Sequence, residues 1–217
     1  MIDWPYEPPQ VDEYAGKTIA LALTGASGMP YALRLLQCLL AAKVRVWLLY
    51  SQVAQIVAAQ EMQLALPSRP TEVANKLAQW FSAEPGQLQV FGRDEWFAPI
   101  ASGSNPADAM VICPCTMGAL AAVAHGLSDN LIERAADVML KENKPLILVP
   151  RETPFSAIHL ENMLKLARLG AVILPPNPGF YQQPDSVAQL VDYVVARILD
   201  HLGINNRLLP RWGAGQA

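Results

Sequence analysis

The sequence is short of charge. Only 16% of its 217 residues are Asp, Glu, Lys or Arg, while 52% are apolar. A chain with so little polar surface has apolar area to hide after folding, which points to homo-oligomerisation. With a net charge of −3 and no dense Lys/Arg run, neither nucleic acid nor an anionic membrane is the expected partner. No apolar stretch approaches a bilayer span. The first sixteen residues are acidic and proline-rich, not basic then apolar, so they read as an irregular arm and not as a secretory signal. Cysteine is scarce as well. Cys113 and Cys115 stand too close to pair easily with each other, so no disulfide framework is expected and the reducing cytoplasm is the expected compartment. The three histidines, His125, His159 and His201, are scattered, and without a second ligand pair no zinc site is expected.

What remains is a pattern of short apolar runs separated by periodic segments. The chain is long enough for one domain with a buried core and short for two. Strands are predicted over 18–23, 44–50, 109–113, 145–149 and 171–174, with little polar alternation, as in parallel strands covered on both faces. Helices are predicted over 31–42, with Pro30 as first helical residue, then 53–62, 71–81, 117–124, 129–141, 158–169 and 185–202. Residues 85–108 read as a looser region punctuated by Gly, Pro and Ser. Alternating strands and helices predict a single α/β domain: a doubly wound, mostly parallel sheet in a three-layer αβα, Rossmann or flavodoxin-like arrangement. Ligands of such sheets bind at the carboxyl ends of the strands.

The first strand ends in Thr24-Gly25-Ala26-Ser27-Gly28. Glycine lets the backbone turn sharply, and the next helix N-terminus offers unpaired N–H groups to an anion. Either a phosphate sits there or the residues simply make a tight turn. A dinucleotide site adds a third glycine and an acidic residue after the second strand; that strand ends in Tyr50-Ser51, so NAD is disfavoured and a mononucleotide such as FMN stays open. Cys113-Pro114-Cys115-Thr116 marks another strand end. A nucleophilic Cys115 is the minor reading there; Thr116 and the amides after it are the useful groups. Leu131, Arg134, Val138 and Lys141 share one helix face, and Val187, Leu190, Val194 and Arg197 repeat the spacing. Each such cation either pairs locally and snorkels or faces an anion. Arg151 follows the 145–149 strand and Tyr181 lies in the loop after the next one, so these cations are expected to converge at one sheet edge around a phosphate. A Ser-His-Asp hydrolase finds little support, since Ser27 lacks the elbow pattern.

From 18 to 204 the chain resembles the flavin prenyltransferases of the UbiX/Pad1 family, within the flavin-binding Cys-decarboxylase folds. The likeness rests on T-G-A-S-G, P-C-T, L-I-E-R-A-A-D-V-M-L-K, V-P-R-E-T-P, and A-V-I-L-P-P-N-P-G-F-Y followed by V-A-R. It implies an arm at 1–17, a flavoprotein domain at 18–204 and a tail at 205–217. The implied reaction is metal-independent: dimethylallyl phosphate alkylates reduced FMN at N5 and C6, phosphate leaves, and the prenylated FMN serves a UbiD-type decarboxylase. The resemblance implies flavin-site roles for Gly25, Ala26, Ser27, Ser51, Thr116, Met117, Gly118, Ala119 and Arg151. Lys141, Glu152, Tyr181 and Arg197, with Arg134 nearby, are implied to hold the prenyl phosphate. Glu61 resembles a carboxylate contributed by a neighbouring subunit, Trp212 an aromatic of the tail, and the assembly a homo-dodecamer. Gly118-Ala119 departs from the family, where larger polar side chains often follow P-C-[ST]; backbone amides are expected to serve there. On this reading the cations neutralise the leaving phosphate, while Glu152, Lys141, Glu61 and Ser27 are the catalytic candidates, Ser27 relaying a proton at N5. Two alternatives keep the fold. One is an FMN-dependent cysteine decarboxylase, which typically shows a His near the first helix, where this chain has none before His125. The other is a non-catalytic FMN carrier, for which several extra cations have little use.

Overall fold

Alternation of buried strand residues decides the layering. The structure, a computed structural model, describes residues 4–211 and 213. β1 (Thr18–Leu23) sends Ile19, Leu21 and Leu23 into one apolar core and Ala20 and Ala22 into another on the opposite face, as the two-residue side-chain period of a strand requires. The first core is closed by α1 (Met29–Ala41), α2 (Gln52–Met62), α3 (Pro70–Trp80) and α7 (Val187–Leu202). The second lies under α4 (Met117–Ala124), α5 (Leu131–Lys141) and α6 (Ala157–Arg168). Between them runs a six-stranded sheet in the order β3-β2-β1-β4-β5-β6, where β2 is Arg45–Tyr50, β3 Leu88–Phe91, β4 Ala109–Cys115, β5 Leu146–Pro150 and β6 Val172–Ile173. Every pairing is parallel. This is the doubly wound α/β sheet the alternation predicts, and among the described residues no helix is long and apolar enough to cross a membrane.

Two departures have local causes. The region expected to be loose contains β3, whose four residues sit between Gly86 and Gly92 and include polar Gln89; a run that short shows no periodicity, and pairing with β2 makes it a strand. Among its described residues the amino-terminal arm has no helix or long strand, yet these residues are packed down. Tyr6 is buried, the Trp4 ring lies 5.0 Å from Trp80 and 5.3 Å from Phe81, and Val11 bridges to Asn206.

The winding turns around between β1 and β4. From β1 the chain passes through α1 to β2 on one side, and from β4 it passes through α4 and α5 to β5 on the other. The crossover helices diverge to opposite faces, which leaves a crevice above the carboxyl ends of these two strands.

Candidate functional site

A cavity of about 330 Å³ fills that crevice, lined on the β1 side by Thr24 and Gly25 and on the β4 side by Thr116 and Ala119. Three helices begin on it. Ser51 caps α2 by accepting from the Ala54 amide (3.1 Å), Thr116 caps α4 by accepting from Ala119 (3.1 Å), and Asn130 caps α5 by accepting from Glu133 (3.1 Å). All three capping residues line the cavity. A side-chain cap uses one first-turn amide and leaves others without an intrahelical partner, so each helix start presents N–H groups and roughly half a positive charge. Arg93, 3.8 Å from Asp94 and on a segment held by the Leu131 amide donating to the Arg93 carbonyl (2.8 Å), adds a cation at the same cavity, where Glu133 adds a carboxylate. An anion is the natural occupant. Tyr50 supplies an aromatic wall, and its burial pushes the phenol pKa up, so it stays neutral at physiological pH.

Gly25 is where the first turn meets α2. A Cβ there would lie 2.4 Å from Val53 Cγ1, closer than any side chain tolerates. Gly28 has φ +128°, a left-handed conformation that favours glycine. The start of α1 does not await a ligand, however. Its Gly28 and Met29 amides donate to the Glu61 carboxylate at 3.0 and 2.8 Å. Within one protomer, then, the anion at the α1 N-terminus is the Glu61 carboxylate, reaching the turn from α2 of the same chain. Ser27 is exposed beside this contact and Ala26 is buried. Gly118 is exposed, with nothing nearer than 4.0 Å to an added Cβ; Met117 is half-buried at the head of α4.

The cations expected to converge do not do so within one chain. α5 starts at the cavity and runs back antiparallel to the strands, so Lys141, the last of its 11 residues, ends roughly 15 Å away at the opposite sheet edge. There it pairs with Glu142 at 2.5 Å, over Gly103. Arg134 donates to the Ala101 carbonyl (2.9 Å) and to Asp137 (2.9 Å). Arg197 is an exposed residue at the edge of its helix stripe, bonded to Asp200 at 2.7 Å, and with Tyr181 and Arg211 it borders a separate cavity of about 300 Å³. Tyr181 donates to the Tyr193 hydroxyl (3.1 Å). Arg151 and Glu152 line a third cavity, after β5, with Pro175 and Pro176 opposite, and Glu152 accepts from the Thr153 amide (3.0 Å). The motif residues therefore occupy separate surfaces of the protomer. Trp212 lies outside the described residues.

Cys115 is fully buried, and burial pushes its thiol up to about 12, so it is no nucleophile. Among the described residues no group of three His, Cys, Asp or Glu side chains is placed to hold a metal ion. The sequence reading missed Thr24, Tyr50, Arg93, Asn130 and Glu133 as cavity residues. For Asn130 a signal existed: Asn-x-x-Glu before an apolar run marks a helix start. Arg93 had none, because only strand pairing by β3 brings it there.

Known proteins resemble the chain in sequence and in fold. The flavoprotein family profile matches residues 8–199. The chain is similar to flavin prenyltransferase UbiX of Pseudomonas aeruginosa, with 60% identity over 195 residues, 90% of this chain and 93% of that protein. It is similar in structure to AnUbiX (PadA1) in complex with FMN and dimethylallyl pyrophosphate (39% identity, TM-score 0.81, 91% of this chain and 97% of that one). It is also similar to a dodecameric FMN-dependent UbiX-like decarboxylase from Escherichia coli (38% identity, TM-score 0.80, 90% and 98% covered).

Proposed function

This chain belongs to the flavoprotein family and, within it, to the flavin prenyltransferases, and we propose that it joins the dimethylallyl group of dimethylallyl phosphate to N5 and C6 of reduced FMN, releasing phosphate. The observation that carries the reading is the convergence of three helix N-termini and Arg93 on one cavity at the β1/β4 crevice. That donor set suits the phosphate end of a mononucleotide. Ser51, Thr116 and the amides of Met117, Gly118 and Ala119 would hold it, with Gly25 and Ala26 allowing close approach and Arg151 flanking the site. Reduced flavin, when bound, supplies the nucleophilic N5 and C6.

The chain's own residues would do the rest. Lys141, Arg134, Glu152, Tyr181 and Arg197 bind and neutralise the prenyl phosphate as it leaves. Ser27 and Glu61, side by side at the first turn, hold or move a proton near the reacting edge of the flavin. Since these groups occupy separate surfaces in one protomer, the working site draws on neighbouring copies in a homo-oligomer, a dodecamer by analogy with its relative. Exposed Val53 and Ile56 on α2, beside the cavity, are apolar surface of the kind such contacts cover. The product passes to a UbiD-type decarboxylase, in the cytoplasm.

Anaerobic incubation with reduced FMN and dimethylallyl phosphate, followed by mass analysis of the flavin, tests the reading. A flavin heavier by one five-carbon unit is expected; an unmodified flavin removes it.

A further inference from the structure

Thr24 is buried, lines the cavity, and makes three hydrogen bonds across the β1/β4 crevice. Its amide and its hydroxyl both donate to the Pro114 carbonyl, at 3.2 and 2.7 Å, and the Thr116 amide donates to its Oγ1 at 2.8 Å. These bonds stand where the ladder fails. β1 and β4 are in register from Ile19↔Ala109 to Ala22↔Ile112 and no further, the β4–β5 register shifts between Ile112 and Cys115, and Pro114 has no N–H to give. A side-chain hydroxyl, one donor and an acceptor in the same atom, takes over the ladder's work for the last step before the sheet edge.

What it ties together are two parts of the candidate site. Thr24 leads directly into Gly25, and Thr116 caps α4; both face the same cavity. Its hydrogen and a lone pair are committed to the protein, so the hydroxyl is not itself poised for a ligand. We infer that Thr24 is a positioning residue: it sets the spacing between the first turn and the α4 N-terminus, and thereby the fit of the cavity to the phosphate end of its ligand. The inference rests on the proposed FMN reading.

The test compares FMN with riboflavin, which lacks the phosphate, by fluorescence titration of the intact protein carrying Thr24→Val or Thr24→Ser. Valine keeps the shape and the backbone amide bond to the Pro114 carbonyl, but removes that carbonyl's hydroxyl donor and the Oγ1 acceptor of the Thr116 amide. For Thr24→Val the FMN Kd is expected to rise about tenfold, with the riboflavin Kd unchanged; Thr24→Ser should keep the parent's preference for FMN. Equal weakening of both ligands would mean a purely structural role and overturn the inference, as would an unchanged preference in Thr24→Val. If the parent itself fails to bind FMN, the FMN reading falls first and this inference with it. Should Thr24→Val not fold, Thr24→Ser decides: a folded serine variant that loses the preference contradicts a role carried by the hydroxyl, and one that keeps it supports that role.

Discussion

At the scale of single residues the site is governed by close approach. Gly25 has no side chain because Val53 occupies the space: an added Cβ would lie 2.4 Å from Cγ1 and 2.6 Å from Cβ of a stiff, branched residue. Gly25→Ala must therefore push the start of α2, and Ser51 with it, away from the first turn. We expect FMN affinity to fall by about tenfold, or ~1.4 kcal/mol, with the fold retained, measured by flavin titration beside far-ultraviolet circular dichroism. The buried thiols make an independent check. Cys38, Cys113 and Cys115 are all at 0% exposure, and burial raises the pKa of each, so iodoacetamide at neutral pH should leave the native protein unlabelled. Rapid labelling of Cys115 would reopen thiol chemistry.

At the scale of elements, caps and edge contacts decide where helices and strands begin. Thr116 follows the last residue of β4 and caps α4, an eight-residue helix. Thr116→Ala removes the acceptor of the Ala119 amide, and a loss of about 1 kcal/mol in unfolding free energy is expected from denaturant titration. At the other sheet edge Asp108 joins the starts of β1 and β4. Burial tends to raise its pKa, but the Thr18 amide at 2.8 Å and the Lys17 ammonium at 3.2 Å prevail, and the carboxyl is held below its ordinary value. A depressed carboxylate pKa gives stability that is present above the unfolded value, about pH 4, and is lost as pH falls through the folded value. Asp108→Asn should thus flatten the stability profile below about pH 4, read from thermal midpoints; an unchanged acid limb would contradict the contact's role.

At the scale of the whole molecule, a buried ion pair joins α1 to α7, and its arginine also holds the arm. Arg34 is 2% exposed, bonds Asp192 of α7 at 2.7 Å, and donates to the Glu7 carbonyl at 2.7 Å. Removing one partner leaves a buried charge unmatched, so Asp192→Ala should cost about 3–5 kcal/mol, whereas an Arg34→Met, Asp192→Leu double substitution should cost less. Assembly has its own test. If one site draws on several copies, Ser27→Ala and Arg197→Ala are each defective, yet their co-expressed mixture should regain part of the prenyl transfer. No regain would confine each site to one protomer.

Sequence by itself determined the alternation of strands and helices apart from β3, the doubly wound class of sheet, the Gly25 turn and the Thr116 start. These depend on local chemistry: apolar periodicity, the backbone freedom of glycine, and the short oxygen-bearing side chains that cap helices. Tertiary structure alone decided which groups meet. Lys141, Arg134 and Arg197 read as cations converging at one sheet edge around a phosphate, but within one protomer helix direction carries Lys141 to the far edge, and Asp137 and Asp200 pair with the arginines. Glu61 lies thirty-three residues from Gly28 in sequence yet binds its amide, and Arg93 joins the cavity through a strand too short to show a period. Distance along a chain is not distance in space: strand order and helix direction set the latter, and both are settled only when two faces of one sheet are packed at once.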